Sequence, residues 1–475
     1  MRRAGWAVLG TLGVSGLALG IERSPWGGEP APPVLATADL ADGRDQQGLL
    51  TDPSVVLEVP EAAKPAYGAP LELIPFRTRV TRIVGDSAQP FRVGGTPGVW
   101  GRDARHHYSK DQPWNADGTL LALQNRGGGS PTLLFLNGES YEPRFGRCGG
   151  YRGDDRWHPD TAYANVRIAV QDTVLVWFDV VNCRELRRWS LPWPVIGLGM
   201  SEGNVSADGR FVALSDGRRM FIVDMDPGTP LAPYPNRRIG PPVDISDCRV
   251  TSTCAVGWVS ISPSGRYVVV AYRGARLRVY DVDHEALTAT PRPLPASAPR
   301  CTGTGAQGFI YDLGHADMAL NPFDDGEDVI VGQEHCGNRG KTVDGKRIGG
   351  VVMVRLRDGA VTALTDPTNE SYPHHVSARN YDRPGWVYVG YYPAPGKRFN
   401  DEVIAVKLDG SQAVERLAHK RSSSRGCYRC ESHAVPSRDG RRVLWASNWV
   451  TQPSGADSLL AIQAYVVDTR LAEAR

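Results

Sequence analysis

Short apolar runs recur along the chain, and each follows a polar turn that contains Asp, Gly or Pro. The clearest copies are SADGRFVAL (206–214) followed by MFIVDMD (220–226), and SPSGRYVVVAY (262–272) followed by LRVYDVD (277–283). A turn with Asp-Gly or a similar pair between two apolar runs is a strong signal for a β-hairpin. The pattern therefore predicts an all-β protein that is built from repeated hairpins.

Seven copies of this unit are visible, and successive copies start 43 to 60 residues apart, near residues 115, 158, 206, 262, 321, 377 and 437. A regular period that carries one small sheet is typical of a β-propeller, because each sheet can bury its faces only against its neighbours. We expect a single domain, a seven-bladed β-propeller over residues 73–475. Residues 75–84 are expected to supply an outer strand to the last blade. An array of β-sandwiches is the alternative, but it does not explain the period.

The N-terminus has a different character. Arg2 and Arg3 precede a short apolar stretch with small residues at its end, which predicts a signal peptide over residues 1–20. An uncleaved anchor is the alternative. Residues 21–72 are rich in Ala, Pro, Gly and Asp, which predicts a flexible linker. No other long apolar run is present, so we expect no membrane span in the mature chain.

Composition narrows the functional classes. The 475 residues include 54 Lys and Arg against 52 Asp and Glu, a net charge of +2, which gives no basic field for nucleic acid. The even number of cysteines, eight, favours disulfides in an oxidising compartment, so we expect a secreted or periplasmic protein. Sequence cannot fix their pairing, but pairing of neighbours would give Cys148–Cys183, Cys248–Cys254, Cys301–Cys336 and Cys427–Cys430.

Histidines cluster in the last three copies. His315 lies six residues before the start of its copy, His375 two and His433 four. Residues at even offsets share one face of a strand, so the three imidazoles are expected to converge near the mouth of the central channel. Gln333 and His335 follow the next strand and are expected to come close to them. This set predicts a divalent metal site, for Zn or Mn. The alternative is that each histidine hydrogen-bonds locally at the channel rim.

Other polar residues precede the first strands of their copies and are candidates for catalysis, namely His107, Lys110, Arg156 and Tyr372. Glu202, Asn204 and Trp258 are expected to share the channel-lining face, where they would suit a sugar. The stretch CYRCESH (427–433) has a spacing close to that of zinc ligands, but in an oxidising compartment we expect Cys427 and Cys430 to form a disulfide.

The turns resemble those of TolB-like and YVTN-type propellers, which share a WD40-like architecture, over roughly residues 100–470. A second resemblance is to oligogalacturonate lyases and ulvan lyases, and it rests on GHADMALNP (314–322), GQEHC (332–336), YPHHVS (372–377), ESHAVPSRDG (431–440) and YSKDQPWNADG (108–118). It implies a metal-dependent polysaccharide lyase that acts on an acidic polysaccharide. No entire catalytic motif of either family is matched.

Two functions therefore remain open. One is a secreted lyase that cleaves uronic-acid-containing glycans by β-elimination. The other is a non-catalytic propeller that binds a glycan or a protein partner outside the cell. A propeller with a redox or quinone cofactor has no specific motif here. The substrate, the identity of the metal and the oligomeric state do not follow from the sequence.

Overall fold

The computed structural model describes residues 48–226, 238–246, 255–273, 276–301, 308–424, 427–450 and 460–469. Within these ranges the chain is all β, as predicted, and its helical segments are the short 3₁₀ turns Thr161–Tyr163, Pro322–Asp324 and Tyr428–Cys430. No helix among these residues is long and apolar enough to cross a bilayer. The predicted signal peptide and the predicted Cys248–Cys254 pair lie outside the described residues.

The first strands of the described chain form a hairpin of β1 and β2, a hairpin of β3 and β4 and two antiparallel meanders. Their bounds are β1 (Pro70–Leu73), β2 (Thr78–Arg82), β3 (Pro90–Val93), β4 (Thr96–Val99), β5 (Asp103–Arg105), β6 (Leu120–Arg126), β7 (Leu133–Asn137), β8 (Pro143–Gly146), β9 (Asp154–Trp157), β10 (Val166–Asp179) and β11 (Arg184–Val195). Strands β5 to β8 form one meander, strands β9 to β11 form the next sheet, and β3 and β4 form a separate hairpin.

The middle of the chain continues this arrangement. The strand bounds are β12 (Phe211–Ser215), β13 (Arg219–Asp224), β14 (Arg238–Ile239), β15 (Val243–Asp244), β16 (Val256–Ile261), β17 (Tyr267–Tyr272), β18 (Arg276–Asp283), β19 (Thr288–Pro291), β20 (Leu313–Asn321), β21 (Glu327–Glu334), β22 (Thr342–Val343), β23 (Lys346–Arg347), β24 (Val351–Arg355) and β25 (Val361–Ala363). They form the sheets β12 to β15, β16 to β19 and β20-β21-β24-β25, and β22 and β23 form a small hairpin.

The C-terminal part brings the two ends of the described chain together. Its strands are β26 (Pro373–Ser377), β27 (Trp386–Tyr391), β28 (Glu402–Lys407), β29 (Val414–His419), β30 (Val435–Pro436), β31 (Arg442–Ser447) and β32 (Ile462–Asp468). Strands β26 to β29 form one sheet, and β30, β31, β32, β2 and β1 are successive neighbours in the last. A short parallel pairing of β32 with β5 joins this last group of strands to the first meander, so the nine strands form one hydrogen-bonded sheet. The antiparallel pairing of β2 with β32 confirms that residues 75–84 supply a strand to this sheet.

The predicted turns join the first and second strands of their sheets. In the copy that starts at Ser206, the Gly209 amide donates to the Ser206 carbonyl and the Ser206 hydroxyl donates to Asp208. Gly209 has φ +74°, a conformation that glycine adopts without the steric penalty of a Cβ atom. The same pattern recurs at Ser437 and Gly440, so the Ser-x-Asp-Gly signal in the sequence reports a real structural unit.

Apolar side chains fill the spaces between consecutive sheets. One cluster joins β16 to β18 with β20, β21 and β24, and another joins β27 and β28 with β31 and β32. A further cluster, which includes Leu121, Leu136, Leu444 and Val466, joins the first meander to the last sheet. Sheets stacked face to face in chain order, with the core between them, define a fold of the β-propeller type.

The expected linker over residues 21–72 enters the described part at residue 48. Leu50 and Leu57 are buried in an apolar cluster with Val403 and Leu417, and Leu50 forms a β-bridge with Arg416. Residues 48–73 therefore pack against the outside of the last two sheets. Their apolar residues are few and widely spaced, so composition alone does not reveal this packing.

Three of the predicted disulfides are present, Cys148–Cys183, Cys301–Cys336 and Cys427–Cys430. The first connects the end of β8 with the turn between β10 and β11, and thus links two consecutive sheets. The last closes the 3₁₀ turn Tyr428–Cys430, which lies directly before Glu431 and His433.

Candidate metal centre

Three imidazoles and one carboxylate meet near the first strands of the last two sheets. Oε2 of Glu431 lies 3.0 Å from Nε2 of His375, 3.4 Å from Nε2 of His374 and 3.7 Å from Nε2 of His433. Two ligands of a tetrahedral ion with bonds of about 2.0–2.1 Å stand about 3.3 Å apart, so these separations fit one divalent cation. Nε2 of His374 is buried without a hydrogen-bond partner among the described residues, which is what an unliganded metal-binding nitrogen would show.

Burial sets the charge state of these histidines. It lowers the pKa of His374 below the ordinary value, and with the neighbouring His433 it holds the pKa of His375 well below that value. For His433 burial acts first and the guanidinium of Arg105 adds to it. All three imidazoles are therefore neutral at neutral pH. A metal ion needs the lone pair of an unprotonated nitrogen, so the site is already in the form that binds one.

A fourth imidazole, that of His315, stands at the mouth of the cluster. Its Nδ1 lies 3.1 Å from Nδ1 of His375, and the two ring centroids are 4.2 Å apart. His315 is exposed, whereas His374, His375 and His433 are 3%, 0% and 1% exposed. Desolvation of its ring, followed by the effect of His374, lowers the pKa of His315 to about 4. It is a neutral imidazole that a ligand from the solvent can reach.

Backbone irregularities aim these side chains at one point. The pairing register between β20 and β21 breaks at His315, and that between β26 and β27 breaks at His374 and His375. A bulge places an extra residue opposite one partner and redirects its side chain. This is why the adjacent His374 and His375 both reach the cluster, although simple alternation would send them to opposite faces. His315 and His433 have φ +44° and +45°, the left-handed region that is uncommon for residues with a Cβ atom.

Aromatic and charged side chains surround the cluster. The ring of Tyr108 lies 5.2 Å from that of His375 and 4.6 Å from that of His433. Nζ of Lys110 lies 2.9 Å from Oε2 of Glu202 and 3.9 Å from the ring centroid of Trp258. The loop before β6 thus brings an ammonium group into contact with a carboxylate from the loop before β12 and with an indole from β16.

Gln333 and His335 form a pair beside the cluster. Nε2 of His335 lies 3.1 Å from Oε1 of Gln333, and the amide of Gln333 donates to the backbone carbonyls of Pro373 and His374 at 2.6 and 2.5 Å. Their contacts thus fix the bulged backbone of β26 rather than forming part of the group around Glu431. The structure brings together His315, His375 and His433 from the predicted ligand set, and places Gln333 and His335 behind them.

The four candidates for catalysis lie in different surroundings. Lys110 is next to the cluster, as described above. Nδ1 of His107 lies 3.4 Å from Asp111, and His107 lines a cavity between the first two sheets. Arg156 is buried and bound to Asp154 at 2.8 Å. The side chain of Tyr372 is 40% exposed and stacks on Tyr392, which in turn stacks on His374. Two of the four approach the imidazole group through one intervening ring, Lys110 through Tyr108 and Tyr372 through Tyr392.

Sequence reasoning missed two members of the group, Glu431 as a ligand and His374 as a partner of His375. A signal for Glu431 was available, because it lies two residues before His433 and thus has the same parity. His374 could not be found by that rule, since its position depends on a bulge that no residue pattern marks.

The cysteines do not compete for the metal. Cys301 and Cys336 come close to Asp312 in a group of metal-ligand type, but their sulfurs are joined in a disulfide. Cys427 and Cys430 are also joined, which confirms the disulfide prediction for the CYRCESH stretch. Among the described residues, the other group of metal-ligand type consists of His374, His375 and Glu431, whose ligand atoms all lie within 4.8 Å of one another.

Comparisons with known proteins bear on the fold. No protein-family model and no curated protein matches the chain. Solved structures do: an oligogalacturonate lyase in complex with manganese matches at 13% identity and a TM-score of 0.49, over 82% of this chain and 93% of that one. The oligogalacturonate lyase of Vibrio parahaemolyticus matches at 12% identity and a TM-score of 0.49, over 82% of this chain and 94% of that one. The β-propeller domain of Myceliophteria thermophila Cps50 matches at 11% identity and a TM-score of 0.32, over 60% of this chain and 94% of that one.

Proposed function

We propose that this chain is a metal-dependent, carbohydrate-active enzyme that cleaves uronic-acid-containing polysaccharides by β-elimination. The observation that carries the proposal is the convergence of three buried neutral imidazoles on Glu431, with the exposed imidazole of His315 beside them. A buried ligand group with a reachable base next to it is the arrangement that metal-assisted proton abstraction needs.

The residues that would hold Zn or Mn are His374, His375, His433 and Glu431. Imidazole suits both ions, and a carboxylate oxygen is a good ligand for manganese. When bound, the cation supplies positive charge that neutralises the substrate carboxylate and thereby makes the neighbouring C5 proton acidic. The neutral state of the buried imidazoles supports this role, because no proton has to leave before a metal binds.

The proton steps fall to side chains at the mouth of the cluster. The neutral imidazole of His315 accepts the C5 proton, and the electron pair left behind forms the C4–C5 double bond. The bond between C4 and the glycosidic oxygen breaks, and that oxygen takes a proton from the ammonium of Lys110. The ring of Trp258 holds the ammonium of Lys110 in place, and the second carboxylate oxygen of Glu202 offers an acceptor for hydroxyl groups. These groups support an acidic glycan as the partner.

The proposal includes a closed ring of seven blades in an exported protein. Support for closure comes from the apolar cluster that joins the first meander to the last sheet, and from the pairing of β2 with β32. Support for export comes from the three disulfides, which persist in oxidising compartments.

The test combines metal analysis with product formation. Purified protein is analysed by plasma mass spectrometry and then incubated with pectic, ulvan, alginate and glucuronan substrates, with ultraviolet absorbance reporting the unsaturated product. Glu431→Gln is expected to lose both metal and product, because the neutral amide is a weaker ligand than a carboxylate. His315→Ala is expected to keep the metal and lose about 10²–10⁴-fold in rate, the usual contribution of a general base.

His284→Ala is the matched control, because this exposed histidine lies in the turn between β18 and β19. The variant should change neither the metal content nor the rate of product formation. Bound metal with no product from any substrate would favour the non-catalytic glycan-binding or protein-binding function instead. Unchanged metal content in Glu431→Gln would remove the ligand assignment, and loss of metal in a His335→Ala variant would add His335 to the set.

A further inference from the structure

The cavity that His107 lines has a volume of about 380 Å³ and lies between the first meander and the sheet of β9 to β11. Its volume falls within the range of about 300–1,000 Å³ that is usual for small-molecule pockets. It borders the candidate metal centre, because His106 lines the cavity and its Nε2 hydrogen-bonds the backbone carbonyl of His433. The buried side chain of His106 therefore lies between the cavity and the candidate metal centre.

The walls carry polar atoms with no hydrogen-bond partner among the described residues. They are Oδ1 of Asp111, Nη2 of Arg147, Nη1 of Arg167 and Nδ1 of His106, all in residues that line the cavity. Asp111 is 6% and Arg167 3% exposed, so water outside the protein does not satisfy them. A buried polar group without a partner destabilises the protein, and a polar ligand would restore the missing hydrogen bonds.

Each carboxylate on the walls of the cavity has a cation close to it. Asp154 is paired with Arg156 at 2.8 Å, and Asp155 is paired with Arg167 at 2.9 Å. Asp111 has Arg156 at 3.8 Å and His107 at 3.4 Å, and Arg156 holds its pKa at about 2 although burial alone would raise it. The cavity-lining carboxylates are thus already matched by cations.

Two guanidinium groups remain. Arg126 and Arg147 line the cavity, and neither has a carboxylate within ion-pair distance in the described part of the chain. The guanidinium of Arg147 stacks on the ring of Tyr151 at 4.2 Å and donates from Nε to the Tyr151 backbone carbonyl, and its Nη2 has no hydrogen-bond partner in the described part of the chain. Arginine forks bind carboxylates with two parallel hydrogen bonds.

We propose that this cavity is a subsite for a second acidic sugar unit, whose carboxylate is bound by Arg126 and Arg147 and whose hydroxyl groups donate to Asp111. The assignment rests on the proposed function, since it takes the substrate to be a polymer of uronic acids. It extends that function by stating where the unit next to the cleaved bond is held.

The test measures binding without catalysis. The full chain, in buffer with EDTA, is titrated with D-galacturonate and with D-galactose, which lacks only the carboxylate, and heat is recorded. Saturable binding of galacturonate in the millimolar range and none of galactose is expected. Arg147→Gln and Arg126→Gln are each expected to weaken it about tenfold, the loss of one charge-assisted contact. Arg144→Gln, on exposed β8 outside the cavity, is the control.

Equal binding of both sugars, or unchanged affinity in both Arg126→Gln and Arg147→Gln, would overturn the carboxylate assignment. No saturable binding of galacturonate would overturn the subsite itself. Because the chelator removes any metal, these results do not depend on the lyase activity. Product formation without galacturonate binding would keep the proposed function and discard the subsite. Galacturonate binding without product formation would keep the subsite and discard the proposed lyase activity.

Discussion

At the scale of single residues, Arg416 is a buried charged side chain that connects two distant parts of the chain. It is 0% exposed, and its guanidinium donates to both carboxylate oxygens of Glu402 at 2.8 and 2.5 Å. Nη1 of Arg416 also donates to the backbone carbonyls of Asp52 and Val55. One side chain therefore satisfies a buried carboxylate and ties residues 48–60 to the sheet of β26 to β29.

Removing the partner of this guanidinium gives a stability prediction. Glu402→Ala leaves the buried charge of Arg416 unpaired, so we expect the free energy of unfolding to fall by about 3–5 kcal/mol. Urea denaturation followed by tryptophan fluorescence measures it. The matched control is Glu185→Ala, which breaks the exposed pair with Arg188 and should cost no more than about 1 kcal/mol. Equal losses in the two variants would contradict the prediction.

Among structural elements, the segment from Cys427 to His433 has the most direct effect on the centre. It carries Glu431 and His433, and the Cys427–Cys430 disulfide closes the turn before them. From the other side, Nη1 of Arg105 donates to the backbone carbonyls of Arg429 and Glu431. The disulfide and this guanidinium together hold the carboxylate against the imidazoles, and such supporting contacts tune metal affinity.

Opening this turn should therefore weaken metal binding without unfolding the protein. In the double variant Cys427→Ser with Cys430→Ser we expect metal affinity to fall about 10–100-fold, the usual effect of losing a supporting contact. Competition titration against a chromogenic chelator measures it. Cys148→Ser with Cys183→Ser, which removes a disulfide between the first two sheets, should leave the affinity unchanged. A similar loss in both double variants would argue for a general effect on folding.

At the level of the whole molecule, the last sheet is made from both ends of the described chain. β32 lies between β31 and β2, and β2 is followed by β1 at the outside. Without the two N-terminal strands, one side of β32 would present unpaired backbone groups, and exposed edges of this kind promote aggregation.

Truncation tests this arrangement. A chain that starts at residue 85 lacks β1 and β2, and we expect it to melt at a lower temperature and to aggregate, as seen by calorimetry and light scattering. A chain that starts at residue 48 keeps both strands and should behave like the full chain. If the shorter protein is as stable and as monodisperse as the longer one, the outer strands do not stabilise the last sheet.

The sequence allowed the repeated elements to be predicted much better than the site. Ser-x-Asp-Gly turns and apolar runs are local features, so the hairpins could be inferred. The β2–β32 pairing is expected because the last repeat lacks an outer strand, and the three disulfides agree with the pairing of neighbouring cysteines, which the sequence alone cannot fix. The cluster around Glu431 depends on bulges at His315 and at His374–His375, whose positions are decided by packing between strands. Parity arguments therefore found His375 and His433, but they overlooked His374 and did not separate the exposed His315 from the buried imidazoles.

The way the last sheet is assembled has a consequence for biosynthesis. Glu431 and His433 lie directly before β30, and the sheet that begins there also contains β2, a strand from much earlier in the chain. The proposed ligands are spread over residues 374–433, so they can meet only after all of these residues have left the ribosome. Any cation must consequently be acquired after residue 433 has been synthesised, in whichever compartment the chain then folds.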